Sequence, residues 1–139
     1  MATITYTVTV ATGTNQYSAN ANKFYINGEV SPVLELQEGN TYIFDQSDST
    51  NAGGGGHPLR FSATANGTWG TAPGGGAGVA YTTGVTTSGT PGTATAFTQI
   101  VVAPVQNVGA PVLFYYCSVH SGMGNTALTT PPTSGETFF

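Results

Sequence analysis

Short stretches of β-branched and aromatic residues, each closed by a turn signal, constrain the fold of this chain more than any other feature. Residues 4–10, ITYTVTV, include the two-residue alternation of a half-buried strand. Further strands are predicted at residues 23–26, 33–36, 41–44, 57–61, 97–102 and 112–116, with turn pairs such as Asn27-Gly28 between them. No window of useful length has helical spacing with caps. The pattern predicts an antiparallel β-sandwich of about seven strands.

The chain carries very few charges for its size. It has 139 residues, enough for one domain with a real core, of which 39% are hydrophobic and 6% charged, with a net charge of -4. Lys23 and Arg60 are its only lysine and arginine. Two cations cannot neutralise a row of phosphates, so we expect no nucleic-acid partner. The weak repulsion between copies favours close association with like molecules.

Composition divides the chain into a body, an insertion and a tail. We assign residues 1–125 to a single β-sandwich domain, interrupted by a Gly/Thr-rich insertion loop at residues 66–92 that contains PGGGAG. Residues 126–139 read as a C-terminal tail, which ends in two adjacent phenylalanines, Phe138 and Phe139. Exposed paired aromatics would suit docking into a neighbouring molecule.

The N-terminal stretch MATITYTVTVATGT has neither a basic start nor an unbroken apolar run. We therefore expect no secretory signal, and synthesis and use without export. No segment approaches the run of about 18 apolar residues that a membrane span requires, so we expect no membrane partner.

Three potential metal ligands are spaced three residues apart in YYCSVHSGMGN (115–125): Cys117, His120 and Met123. Cys117 is the only cysteine, so a free thiol, an intermolecular disulfide and a metal ligand all remain open. Thiolate and thioether groups favour copper(I), and imidazole suits both copper oxidation states. A trigonal site needs a second imidazole, and His57 is the only other histidine.

Three stretches resemble the cupredoxins, the small blue-copper proteins: PVLELQEGNTYIFDQ (32–46), HPLRFS (57–62) and YYCSVHSGM (115–123). The resemblance covers roughly residues 24 to 125, without the Gly-rich insertion. It implies a cupredoxin-like Greek-key antiparallel β-sandwich of about seven to eight strands. At the position after the first ligand, Pro58 stands where many cupredoxins have an asparagine that ties the two ligand loops together.

The same resemblance implies a type 1 copper site. The implied ligands are His57, Cys117, His120 and Met123. One function that follows is electron transfer, with His120 as the exit path at the surface.

A second resemblance covers most of the chain. HPLRFS, AYTTGVTTSGTPG and YYCSVHSGMG are together similar to segments of virion structural proteins of marine bacteriophages, particularly cyanophages. This implies a capsid decoration or tail-associated subunit, located in the virion and multimeric, with other virion proteins as partners. Edge strands and the 66–92 loop are the expected contact elements. We favour this structural role over electron transfer and expect no enzymatic activity.

Plainer interpretations accompany several of these residues. Cys117 and Met123 would also serve as adaptable apolar filler in a core. Trp69, inside the Gly-rich insertion, is expected to anchor that loop to the body. Asp45, Asp48 and Asn51 offer oxygen atoms to a cation such as calcium, but a solvated turn is the preferred interpretation.

Overall fold

A computed structural model of the chain describes residues 1–103 and 112–131, and within them it has ten strands in two sheets. In chain order the strands are β1 (Thr3–Gly13), β2 (Ala21–Ile26), β3 (Glu29–Val30), β4 (Leu34–Gln37), β5 (Thr41–Asp45), β6 (Leu59–Ser62), β7 (Val85–Ser88), β8 (Phe97–Val101), β9 (Val112–Cys117) and β10 (Asn125–Thr130). One sheet has the order β3-β2-β1-β5-β8-β7, and the other has the order β4-β10-β9-β6. The predicted all-β sandwich is confirmed.

The core lies between the two sheets and follows the two-residue period of the strands. In β5, Tyr42 and Phe44 are buried, whereas the alternate residues Thr41, Ile43 and Asp45 are half-buried on the outer face. Phe61 of β6 meets Phe44 from the opposite sheet, with ring centroids 5.4 Å apart in an edge-on arrangement. Such aromatic contacts across the sandwich add to the apolar area that each sheet buries.

Two strand pairs are parallel, so the sheets are mixed rather than purely antiparallel as expected. β1 runs parallel to β5 in one sheet, and β4 runs parallel to β10 in the other. Parallel neighbours require a crossover connection. Here the crossover arises because β4 lies in the opposite sheet from both β3 and β5, so the chain changes sheets twice between them.

The predicted tail begins too early. Residues 125–130 form β10, a central strand of the four-stranded sheet between β4 and β9. NTALTT is polar at most positions, and Ala127 is its one fully buried residue, so the segment lacks the apolar alternation that identifies a strand. The aromatic pair at residues 138 and 139 lies outside the described residues.

The Gly-rich insertion contains regular structure. Gly67–Trp69 forms a 3₁₀ turn, and β7 (Val85–Ser88) pairs antiparallel with β8 at the edge of the larger sheet. A second 3₁₀ segment, Ser49–Gly55, precedes the first histidine. Among the described residues, no helix has the length and apolar character needed to cross a membrane.

Candidate metal centre

The pairing of β6 with β9 brings the two histidines and the cysteine to one end of the sandwich. Leu59 lies opposite Cys117 in this antiparallel pair, and His57 precedes Leu59 by two residues. Cys117 is the last residue of β9, and its partner Leu59 is the first residue of β6. The segment that carries His57 therefore enters the sheet directly beside Cys117. The structure thus brings these residues together across about sixty positions of sequence, as predicted.

The three donor atoms are close enough to share one ion. The Sγ atom of Cys117 lies 3.7 Å from Nδ1 of His57 and 3.7 Å from Nδ1 of His120. All three ligand atoms lie within 4.8 Å of one another. Bonds of about 2.0 Å to nitrogen and about 2.3 Å to sulfur, at angles between tetrahedral and trigonal, separate those atoms by about 3.5–3.8 Å. The donor set therefore fits a single metal ion.

His120 is positioned by the 118–124 loop, which joins β9 to β10. Its ring packs against the ring of His57, with centroids 4.5 Å apart and planes inclined by 43°. The amide of Val119 donates to the Cys117 sulfur at 3.4 Å, which turns the loop back over the thiol. His57 is fully buried and His120 half-buried, so the cluster meets the surface at His120.

Met123 is buried in the same apolar core as Cys117. Its backbone carbonyl accepts hydrogen bonds from the amide of Phe24 at 3.0 Å and from the hydroxyl of Ser31 at 3.0 Å. These bonds fix the end of the 118–124 loop against β2. The assignment of Met123 as a fourth ligand stays a prediction.

Burial sets the protonation of the cluster in the absence of metal. It raises the pKa of the Cys117 thiol, an effect that the amides of Val119 and His120 and the Arg60 guanidinium partly oppose. Burial also lowers the pKa of His57, and the neighbouring His120 adds to this effect. The neutral imidazole of His57 is therefore available as a donor, whereas ligation by Cys117 requires a metal to displace the thiol proton.

Two buried residues, Gln46 and Asn51, hold the backbone of His57, and neither has a direct signal in the sequence. Gln46 donates from Nε2 to the His57 carbonyl at 2.6 Å and accepts from the Leu59 amide at 2.9 Å. The carbonyl of Asn51 accepts the His57 amide at 2.9 Å, and its side chain donates to the Val8 carbonyl at 2.8 Å. The expectation that Asn51 lies in a solvated turn is therefore wrong. Short polar residues after a strand have the same sequence pattern whether they lie in an exposed turn or support a buried site.

The other ring nitrogen of His57, Nε2, is buried without a hydrogen bond among the described residues. A histidine that binds a metal through one nitrogen usually donates its other N–H to an acceptor. Here the backbone bonds and the contact with the His120 ring orient the imidazole instead.

Residues from other parts of the chain bond to the 118–124 loop and to Cys117, which directly precedes it. The Trp69 indole donates to the Cys117 carbonyl at 2.8 Å, which confirms the prediction that this residue anchors the insertion to the body. On the other side, the fully buried Lys23 donates to the Gly122 carbonyl at 2.8 Å, and Asn15 donates to the same oxygen at 3.0 Å.

No protein-family model, no curated protein and no solved structure matches this chain. The fold and the site therefore define its class: an all-β sandwich with a buried His–Cys–His cluster able to hold a metal ion.

Proposed function

We propose that this protein binds a single copper ion through His57, Cys117 and His120. The observation that carries the proposal is the spacing of the donors, with one sulfur 3.7 Å from Nδ1 of each histidine. A thiolate with two imidazoles is the donor set of trigonal copper sites, in which a thioether is the usual weak axial ligand. Met123, which is buried in the same core as Cys117, would supply the thioether.

The proposed chemistry is one-electron transfer, which a bound copper ion would supply through its two oxidation states. The chain contributes a buried thiol and two imidazoles, and the cluster meets the surface at His120. His57 and Cys117 are fully buried, whereas His120 is half-buried. A partner that approaches the His120 edge would therefore come closest to the site.

Copper titration of the purified protein tests this function. We expect one equivalent of copper(II) to produce an intense thiolate-to-copper absorption band in the visible range, and Cys117→Ser to abolish that band. Val119→Ala, which leaves all proposed ligands and the Val119 amide in place, is the matched control and should retain the band. Absence of the band, with native mass spectrometry showing metal-free protein, would refute the proposal. Retention of zinc alone would assign the cluster to a different metal.

A second candidate function is that of a structural subunit in a bacteriophage particle. Its support is a surface with few charges: 6% of residues are charged, and both cations are drawn inward. Lys23 is fully buried, and the Arg60 guanidinium donates to the Leu59 carbonyl and the Thr98 hydroxyl at 2.9 and 3.2 Å. Such a surface suits dense packing of many copies, in which weak contacts add up.

Particle composition tests this second function. Mass spectrometry of purified virions should find the protein in stoichiometric copies, and sedimentation should reveal assemblies of the isolated protein. Cys117→Ser should lose copper and still assemble if the two functions are separate. A protein that is strictly monomeric and absent from virions would contradict the structural role and leave the copper proposal standing.

A further inference from the structure

Residues 66–69 of the Gly-rich insertion, called here the 66–69 turn, bond the backbone on both sides of His120. Its first contact is at Cys117, where the indole Nε1 of Trp69 donates to the carbonyl oxygen at 2.8 Å. This oxygen belongs to the residue that carries the sulfur donor. The bond therefore fixes the backbone at the point where β9 ends and the 118–124 loop begins.

The second contact is at the far side of the same loop. Asn66 accepts the Gly122 amide at Oδ1, at 2.9 Å, and donates from Nδ2 to the Ser121 hydroxyl at 3.1 Å. Its backbone has the left-handed conformation, with φ of 62°, which asparagine tolerates better than most residues. The side chain thus spans two successive residues of the loop.

The 66–69 turn packs against β9, so it can act as a fixed support. Gly67, with φ of 59°, lies flat against the ring of Tyr116, and a Cβ atom at this position would come within 2.1 Å of the ring. The carbonyl of Asn66 accepts the Trp69 amide at 3.1 Å, which closes the turn on itself. Because Tyr116 is itself buried in β9, the turn is packed on the same strand that carries Cys117.

We propose that the 66–69 turn is a positioning device for the metal site, with Asn66 and Trp69 as its positioning residues. The inference rests on the proposed metal binding. The two hydrogen bonds hold the backbone at Cys117 and at Gly122, and His120 lies between these residues in the chain. Both donor residues, Cys117 and His120, therefore belong to a segment that is held at each end. A loop ordered beforehand loses less conformational entropy when it binds a ligand. Groups that orient the ligands of a metal site typically contribute about 10- to 100-fold to its affinity.

Two variants remove the contacts without removing a ligand. Asn66→Gly keeps the left-handed backbone free of strain and deletes the amide, and Trp69→Phe keeps an aromatic ring and deletes the N–H donor. Asn27→Gly is the matched control, because Asn27 also has a left-handed backbone, with φ of 50°, and its Oδ1 accepts the Thr7 amide at 2.8 Å. That bond joins a hairpin turn to β1, and neither partner is a proposed ligand.

The first readout is titration with cobalt(II), whose thiolate charge-transfer and d–d bands report geometry as well as affinity. We expect Asn66→Gly and Trp69→Phe to bind about 10- to 100-fold more weakly, with shifted bands, and Asn27→Gly to match the parent. Asn66→Asp retains an oxygen acceptor for the Gly122 amide and should bind close to the parent. Equal affinity and equal spectra for the parent, Asn66→Gly and Trp69→Phe would overturn the inference, as would failure of Asn66→Asp to restore binding.

The second readout needs no metal. In the metal-free protein we expect Cys117 to react faster with an aromatic disulfide reagent in both variants, because a loosened 118–124 loop exposes the thiol. Unchanged reaction rates would contradict the positioning role. A parent that binds neither cobalt nor copper would instead refute the proposed function, so the two failures are distinguishable.

Discussion

The amide of Ser118 donates a hydrogen bond of 3.1 Å to the carbonyl oxygen of Pro58, and this bond joins the two segments that carry the donors. Each partner directly follows a donor residue, His57 in one case and Cys117 in the other. In this protein the connection runs through the backbone, which any residue at position 58 would supply.

Because no described residue bonds Nε2 of His57, the buried Gln46 side chain, which bonds the backbone on both sides of Pro58, should matter for stability. Gln46→Leu would leave the His57 carbonyl and the Leu59 amide without their partner in the core. We expect it to lower the free energy of unfolding by about 2–4 kcal/mol, since each buried unsatisfied group costs about 1–3 kcal/mol. Urea denaturation of the metal-free protein measures the change.

Gln16→Leu is the control for this substitution. Gln16 is exposed, and its hydrogen bond of 2.8 Å to the Asn125 side chain is also exposed. Its loss should change the unfolding free energy by no more than about 0.5 kcal/mol. Equal effects of the two substitutions would contradict the importance assigned to Gln46.

A pair of glycine substitutions should separate backbone strain from steric overlap. Gly28→Ala, at φ of 86°, meets nothing within 4 Å, so we expect only the strain of a left-handed alanine, about 1–2 kcal/mol. Gly67→Ala carries the same strain and drives its Cβ into the Tyr116 ring, which adds about 1–3 kcal/mol. Thermal unfolding of both variants measures the difference, and similar losses would mean that the 66–69 turn is not packed on the ring.

The sequence predicted the fold class and the cluster because the signals for both are local. Each predicted strand carries its own apolar alternation, and three potential metal ligands, Cys117, His120 and Met123, lie within seven residues of sequence. With only one other histidine in the chain, His57 followed by elimination. The strands that were missed, β3, β7 and β10, are short or polar, and pairing with their neighbours rather than side-chain pattern defines them.

The supports of the site could not be predicted in the same way. Gln46, Asn51 and Asn66 act through hydrogen bonds to residues distant in sequence, as in the bond from Asn66 to Gly122. Nothing local distinguishes such an amide from one in a solvated turn. The parallel pairing of β1 with β5 is likewise a property of the whole topology.

Trp69 should report metal binding directly. It is the only tryptophan in the chain, and its indole is bonded to the backbone of the proposed sulfur ligand. We expect copper to quench its fluorescence in step with the visible band, because the indole is bonded to the backbone of the residue proposed to bind the ion. Cys117→Ser is the control, and copper should leave its fluorescence unchanged. Quenching that persists in Cys117→Ser would place the bound copper elsewhere.

The metal-free protein should lose stability as the pH falls through the ordinary range of histidine. The pKa of His57 is lowered in the folded state by burial and by His120. The unfolded chain therefore takes up the proton first, at about pH 6.5, and the free energy of unfolding declines from there until the pH reaches the lower folded pKa. Urea denaturation at about pH 7.5 and about pH 5.5 spans the upper part of this window.

His57→Phe isolates the contribution of His57. The phenyl ring fills a similar volume, cannot be protonated and removes the unpaired Nε2. We expect the variant to unfold with a smaller dependence on pH than the parent between those two values, and to bind no copper. Because the carboxylates are the same in both proteins, the difference between the two pH slopes belongs to His57 together with its interaction with His120. Identical slopes would show that the parent tolerates a charged His57 in its folded state, and that burial does not hold the imidazole neutral.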